Sequence, residues 1–201
     1  MASINHESVG GWLNAILTRS SRRNIIPDAW DDTMQVMNAP KYSNFLGDEF
    51  KDTRKAADVT FVPRVGPNFS QVTDFPTVVL ETGCAESSTQ LREDARLWQL
   101  GSMKAVRVAL LAKFYPADRY NQVRFVFSIS RVKPGSPFLH DHYQIFPRPA
   151  TPHLNPSISF DEFYGGNCPQ GITAVNKVVL DLGRLAEIVE IMIRRSGHVP
   201  A

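Results

Sequence analysis

The spacing of apolar residues changes along the chain, and each change marks a different kind of secondary structure. Near the N-terminus, apolar residues recur every three or four positions, as on one face of a helix. These residues are Val9, Trp12, Leu13, Ile16 and Leu17. A second set with this spacing, near the C-terminus, comprises Leu185, Ile188, Val189 and Met192. The pattern therefore predicts an amphipathic helix close to each end of the chain.

Between these helices, short segments rich in β-branched and aromatic residues predict strands. They are residues 58–63, 77–83, 105–114 and 122–132, with shorter candidates at 143–147 and 177–182. Ser87 precedes Gln90 by three residues, a spacing typical of a helix N-cap, and Gly101 is suited to end that helix. Residues 147–168 are rich in Pro, Gly, Asn and Ser and predict a loop. We expect an α/β or α+β fold, with a mixed sheet flanked by helices.

Composition and charge narrow the class of protein. The chain has 201 residues, which fits a single domain spanning 1–201, and 43% of them are hydrophobic, which is enough for a core. A formal charge of +2 is low for a strongly basic nucleic-acid-binding protein, although a local basic groove is compatible with it. No apolar run is long enough to cross a membrane. The N-terminal segment lacks the order of a signal peptide, and Cys84 and Cys168 form no CxxC motif. We expect a cytoplasmic or nuclear protein, not a secreted one.

Acidic residues stand at the ends of two neighbouring predicted strands. Glu81 follows the apolar run 77–80, and Asp58 begins the preceding strand. In an antiparallel hairpin centred near Phe69, Asp58 lies opposite Glu81, with Cβ atoms about 4.5–5.5 Å apart. Two carboxylates this close repel unless a proton or a bound cation intervenes. Mg²⁺ held by both acids, water and a substrate phosphate fits this pattern; the alternative is that both acids are simply solvated at the rim of the sheet.

The helix that follows Glu81 carries a third acid. Asp94 lies three residues after Leu91 and four before Trp98, so it belongs on or beside the apolar face of that helix. We expect Asp94 either near the two strand-borne acids or bonded to backbone or an arginine.

The segments KAADVTFVP, PTVVLETG, ESSTQLREDARLW and VRVALLAKF, in this order, resemble the PD-(D/E)XK nuclease superfamily. Within it they are most similar to Uma-type restriction endonucleases and to a group of uncharacterised fungal proteins. The similarity covers residues 55–114. It implies a restriction-endonuclease-like core within residues 45–132, built from a helix, three antiparallel strands, a helix and a strand. Residues 133–201 would then form a loop-rich extension with a C-terminal helix.

The resemblance also implies chemistry. Asp58 and Glu81 correspond to the metal-binding acids of the superfamily, which hold Mg²⁺ or Mn²⁺ while a lysine orients or activates the attacking water. Ala57 stands where the motif has proline, and Gly83 stands where it has lysine. Lys55, three residues before Asp58, is our candidate for the missing lysine, and Lys113 on the next strand is a second. We therefore hold two hypotheses open: a metal-dependent nuclease with catalytic Asp58, Glu81 and Lys55, and a catalytically inactive binding or interaction module on the same fold.

Basic residues and histidines supply further candidates. A binding module for nucleic acid would use arginines such as Arg22, Arg23, Arg92 and Arg96. His140 and His142 point to the same side if their segment is extended, but two histidines without a third ligand indicate a surface loop more than a metal site.

Overall fold

A computed structural model describes residues 4–84, 87–132 and 139–201 of the chain. In chain order the helices are α1 (Ile4–Arg22), α2 (Ala29–Thr33), α3 (Ser88–Gly101), α4 (Phe160–Phe163) and α5 (Leu182–Arg195), with a 3₁₀ turn at Pro67–Phe69. Its strands, also in chain order, are β1 (Met34–Asn38), β2 (Lys41–Tyr42), β3 (Lys55–Ala56), β4 (Val59–Val65), β5 (Gln71–Val72), β6 (Val78–Gly83), β7 (Val108–Phe114), β8 (Gln122–Val123), β9 (Phe125–Arg131), β10 (Leu139–Phe146), β11 (Ser157–Ser159), β12 (Lys177–Val179) and β13 (Val199–Pro200).

A mixed sheet forms the centre of the molecule. Its strands follow the order β1-β4-β6-β7-β9-β10, and β5 pairs with β4 beside this path. Neighbouring strands are antiparallel except β6 and β7, which are parallel. Because parallel neighbours need a long crossover connection, α3 connects β6 to β7 across one face of the sheet. The predicted class, a mixed sheet flanked by helices, is confirmed.

The hairpin of β4 and β6 has the register that the sequence predicts. Val59 pairs with Leu80, and Phe61 pairs with Val78. The residue before Val59 is Asp58 and the residue after Leu80 is Glu81, so the pairing leads the two acids to neighbouring positions at one end of the hairpin. Val78, Val79 and Leu80 are fully buried, as expected for a strand that is covered on both faces.

The helix α3 begins and packs as its sequence predicts. The Ser87 side chain accepts a hydrogen bond from the Gln90 backbone N–H at 3.0 Å, which satisfies one of the donors at the helix start. Leu91, Ala95 and Trp98 are buried against the sheet. They join Val79 and Leu111 in one hydrophobic cluster on this face.

The opposite face of the sheet is covered by α1 and α5. Trp12 on α1 is fully buried, contacts Phe127 edge-to-face with ring centroids 5.4 Å apart, and donates its indole N–H to the Asp181 backbone carbonyl at 3.0 Å. Asp181 is the N-cap of α5. Trp12 therefore joins the two helices to the sheet, and both helices share one core with β10 through Leu185 and Ile145.

Three segments differ from the sequence-based expectation. Residues 139–142, expected in a surface loop, belong to β10, which pairs with β9 along the edge of the central sheet. The predicted loop 147–168 contains β11 and α4, where Ser159 and Glu162 form a reciprocal capping box. The predicted strand 122–132 divides into β8 and β9. In each case pairing with distant residues decides the structure; β11, for example, pairs with β12. Residues 133–138, at the predicted start of the extension, and Glu86 of the family motif lie outside the described residues.

In the part of the chain that the structure describes, none of the helices combines the length and the apolar character that crossing a bilayer requires.

Trp12→Ala tests the packing of α1 and α5 on the sheet. We expect the free energy of unfolding to fall by about 3–5 kcal/mol, because a large buried aromatic group is lost. Trp12→Phe keeps the ring but loses the hydrogen bond to Asp181, so its loss should be smaller, about 1–2 kcal/mol. Urea unfolding followed by far-UV circular dichroism measures both. A loss below about 1 kcal/mol for Trp12→Ala would contradict this packing.

Candidate functional site

Several segments converge at one end of the β4–β6 hairpin, where Glu81 contacts α3. Lys55 lies on β3, Asp58 immediately precedes β4, Glu81 lies on β6, and Asp94 lies on α3. We call these four residues the acid–lysine cluster. Glu81 and Asp94 are buried, with exposed fractions of 7% and 6%, whereas Lys55 and Asp58 are partly exposed.

Glu81 is held by polar contacts inside the core. Its Oε1 accepts a hydrogen bond from the Trp98 indole N–H at 2.6 Å. The ammonium group of Lys55 lies 3.7 Å from the same oxygen. Trp98 is itself fully buried and fixed by edge-to-face contacts with Tyr42 and Phe45. The position of the Glu81 carboxyl group is therefore set by a rigid aromatic neighbour.

Burial changes the acidity of Glu81. The loss of water around the carboxyl group raises its pKa from the ordinary 4.5 to about 8. The charge of Lys55 and the hydrogen bond from Trp98 act in the opposite direction, and the nearby acids Asp94 and Asp58 raise the pKa further. At neutral pH the carboxyl group of Glu81 consequently carries a proton.

Asp94 is paired with Lys55. Its Oδ2 lies 2.8 Å from the Lys55 ammonium group, and its Oδ1 accepts a hydrogen bond from the Gln90 side chain at 3.3 Å. Both members of this ion pair are largely buried. Two environments are predicted for Asp94, and the structure has Asp94 in the one near the strand-borne acids. Lys55 belongs to the same group of side chains.

Asp58 lies at the outer side of the cluster. One of its carboxylate oxygens, Oδ2, accepts a hydrogen bond from the Thr82 backbone N–H at 2.7 Å, which ties the start of β4 to the end of β6. Asp58 also lines an open cleft of about 440 Å³ together with Glu7 and Gly11 of α1 and Asn38 of β1. This cleft gives solvent access to the acid that stands next to Glu81.

The second lysine candidate is placed differently. Lys113 on β7 pairs in register with Gly83, the residue at the lysine position of the superfamily motif. Its ammonium group donates to the Cys84 backbone carbonyl at 3.2 Å and lies 5.4 Å from the Tyr115 ring centroid. Lys113 is 5% exposed. It therefore holds the turn that follows β6, whereas Lys55 contacts the acids directly.

The donor chemistry of Asp58 and Glu81 fits a hard divalent cation. Mg²⁺ commonly uses one or two protein carboxylates and completes its shell with water and substrate oxygens. Across residues 4–84, 87–132 and 139–201, no three His, Cys, Asp or Glu side chains are arranged as a ready metal cage. Glu81 would have to release its proton to serve as a ligand, because a metal ligand must be deprotonated.

Other candidate residues lie elsewhere on the same face. His140 and His142 point to one side of β10, as expected for an extended segment, with their rings stacked at 6.4 Å. The Arg96 guanidinium group donates two hydrogen bonds to the carboxylate of the exposed Glu49, at 2.8 and 3.1 Å. Arg92 is exposed.

No protein-family model matches the chain, and no curated protein matches it significantly.

The raised pKa of Glu81 predicts that the protein becomes less stable as pH rises from 4.5 to about 8. Below pH 4.5 the carboxyl group is protonated in both the folded and the unfolded state. Between these values only the folded state keeps the proton, so unfolding releases it, and rising pH favours the unfolded state. Glu81→Gln keeps an oxygen for Trp98 but cannot ionise.

We therefore expect Glu81→Gln to match the wild type at pH 4.5 and to be more stable at pH 9 by about 3–5 kcal/mol. Urea unfolding of both proteins at pH 4.5, 7 and 9 measures the difference. A difference that does not change with pH would contradict the protonated, buried state of Glu81.

Proposed function

We propose that the protein is a metal-dependent phosphodiester hydrolase, a nuclease of restriction-endonuclease-like fold. The observation that carries the proposal is that Asp58 and Glu81 occupy neighbouring positions at one end of the β4–β6 hairpin, with the Lys55 ammonium group 3.7 Å from Glu81. Two acids and a lysine in one partly buried group are the residue types that phosphodiester hydrolysis with a divalent cation requires.

The order of the elements supports the proposal. The helix α1, the antiparallel strands β1, β4 and β6, the helix α3 and the parallel strand β7 follow the helix–three strands–helix–strand order that the resemblance implies. Function does not follow from topology alone. The weight of the proposal therefore rests on the acid–lysine cluster.

The roles of the residues follow from their contacts. Asp58 and Glu81 would hold the divalent cation, which supplies positive charge to the phosphate oxygens as negative charge develops there. Lys55, partly exposed and beside Glu81, is placed to orient the attacking water or to contact the phosphate. Trp98 is a positioning residue, because its N–H fixes the Glu81 carboxyl group. Asp94 acts through Lys55, whose ammonium group it holds at 2.8 Å.

The proton on Glu81 couples metal binding to pH. A cation would need the carboxylate as its ligand, so Glu81 would have to release its proton for the ion to bind. Since the pKa of Glu81 is about 8 in the ligand-free protein, apparent metal affinity rises with pH up to about that value and then levels off.

Asp58→Asn and Glu81→Gln test the metal role. We expect each to reduce Mg²⁺-dependent cleavage of a labelled DNA or RNA strand by more than about 100-fold, because each removes a charged ligand that stabilises the reacting phosphate. Gel assays of initial rates with Mg²⁺, Mn²⁺ and EDTA measure the effect. Glu93→Gln is the matched control, because Glu93 is exposed on α3 next to Asp94 but outside the cluster. Wild-type protein that neither cleaves these strands nor gives a calorimetric signal with Mg²⁺ would contradict the proposal.

Lys55→Met tests the lysine assignment. We expect a loss in kcat of about 100-fold or more with a smaller change in KM, because the ammonium group would act mainly in the transition state. Lys55→Arg should recover part of the rate, since it keeps the charge. Lys113→Met is the comparison for a lysine on the neighbouring strand. A larger loss in kcat for Lys113→Met than for Lys55→Met would reassign the role.

One observation favours the alternative, an inactive binding or interaction module. Glu81 is protonated at neutral pH and its Oε1 is already bonded to Trp98, while the Lys55 ammonium group places a positive charge among the acids. Such a module would bind no metal and would tolerate Asp58→Asn. Calorimetry with Mg²⁺ at pH 8.5, where Glu81 is mostly ionised, separates the two functions: heat that Asp58→Asn abolishes supports the hydrolase.

A further inference from the structure

A second polar group lies on the same face of the sheet as the acid–lysine cluster, at the edge strand β10. It consists of Arg92, His140 and His142, and we call it the histidine–arginine patch. His140 pairs with Ser130 and His142 with Ser128 on β9. Gln99 of α3 bonds to Ser130, which places α3 over this side of the sheet.

The strand registers relate the patch to Glu81. Glu81 pairs with Leu111, Leu111 with Ser128, and Ser128 with His142. Paired residues point to the same face, so Glu81 and His142 lie in one row across adjacent strands. With strands about 4.8 Å apart, three steps separate them by about 14 Å.

Both imidazole rings have Nδ1 turned towards the protein. Nδ1 of His142 lies 2.8 Å from the Ser128 hydroxyl oxygen. Nδ1 of His140 is buried and has no hydrogen-bond partner among the described residues, so an N–H at that atom would be unsatisfied. Hydrogen bonding therefore assigns the proton of the neutral His140 ring to Nε2. In each ring Nε2 is the nitrogen left for a ligand.

The charges around His140 favour an anion. Burial lowers the pKa of His140, and the charges of His142 and Arg92 lower it further, whereas Asp141 raises it. The Asp141 carboxylate, however, is bonded to Arg131 at 2.9 Å. Arg92 reaches the patch from α3, where it lies two turns before Gln99 and is exposed.

The ring geometry distinguishes an anion from a metal ion. A zinc ion lies about 2.0–2.1 Å from each ligating nitrogen, which requires imidazole rings that converge on one point. The rings of His140 and His142 are nearly parallel, at 11°, with centroids 6.4 Å apart. Parallel donors with this separation suit different oxygens of a phosphate group, each at a hydrogen-bond distance of about 2.7–2.9 Å.

We propose that the histidine–arginine patch binds a backbone phosphate of a nucleic-acid strand that extends from the acid–lysine cluster across the sheet. This inference rests on the proposed function. Because the patch lies about 14 Å from Glu81, one phosphate cannot contact both places, and only a strand of several nucleotides reaches from one to the other. The patch thus sets the length of strand that the protein grips on one side of the scissile bond.

The test uses Glu81→Gln protein in EDTA, so that binding is measured without cleavage. The probe is a fluorescein-labelled 12-nucleotide DNA strand, and fluorescence anisotropy gives Kd at several salt concentrations. We expect Arg92→Ala to weaken binding about three- to tenfold and to reduce the slope of log K against log salt by about 0.7, as for one lost phosphate contact. Removing both imidazoles, in His140→Ala/His142→Ala, should weaken binding by about tenfold, because two hydrogen bonds to the phosphate are lost.

Arg195→Ala and His198→Ala are the controls, because they remove the same side-chain types at α5 and β13, away from the patch. His142→Gln, which can keep a hydrogen bond to Ser128, replaces the alanine variant if circular dichroism shows that the alanine variant is unfolded. A single nucleotide is too short to contact the patch and the acid–lysine cluster together, so the patch variants should weaken its binding less than that of the 12-nucleotide strand.

Equal losses in the patch variants and the controls would overturn the inference, as would a single nucleotide whose binding depends on the patch as strongly as that of the longer strand. These results are independent of cleavage. A wild-type protein that binds through the patch but shows no Mg²⁺-dependent cleavage would refute the hydrolase and leave the phosphate site in place. A protein that cleaves the strand, but whose binding does not change in the patch variants, would support the hydrolase and refute the phosphate site.

Discussion

The carboxyl group of Glu81 lies between a sheet and a helix where water cannot solvate it, and much of the surrounding structure compensates for this burial. An uncompensated carboxylate at such a position would be strongly destabilising. Trp98 donates a hydrogen bond from α3, and Lys55 brings a positive charge from β3. The part of the desolvation cost that these contacts do not offset raises the pKa of the carboxyl group to about 8. The packing of α3 on β6 and the position of Lys55 before β4 are both linked to the Glu81 carboxyl group.

Much of the fold could be predicted from the sequence because its signals are local. The apolar run before Glu81 and its partner strand have a register that follows from hairpin symmetry, and the N-cap at Ser87 follows from its spacing to Gln90. The edge strand β10 could not be predicted in this way. Residues 140–142 are polar and predict an exposed segment, and only pairing with the buried strand β9 makes them part of the sheet. The same holds for β11, whose neighbours are rich in Pro, Asn and Ser.

The candidate site was predictable in part for the same reason. The hairpin register predicts Asp58 beside Glu81 and the helix pattern predicts Asp94 nearby, whereas the apolar spacing of α3 identifies Trp98 only as a core residue and not as a hydrogen-bond donor to Glu81. The sequence does contain a signal for this hydrogen bond. A buried indole N–H needs an acceptor, and Glu81 lies on the strand that directly precedes the helix of Trp98. Lys55 is a candidate only because it lies three residues before Asp58 in the sequence. Its closeness to Asp94 depends on the short β2–β3 pairing, which sequence periodicity does not reveal.

The charge of the cluster connects its ligand-free state to the chemistry proposed for it. With Glu81 protonated, the positive charge of Lys55 balances one of the two remaining carboxylates, Asp58 and Asp94. Loss of the Glu81 proton adds a negative charge that Lys55 cannot offset, and a divalent cation matches this excess. A phosphodiester is itself an anion and is repelled by uncompensated carboxylates. Its approach would therefore require positive charge at two places: at the acids, where Lys55 and a bound cation would supply it, and beside β10, where Arg92 of α3 would supply it.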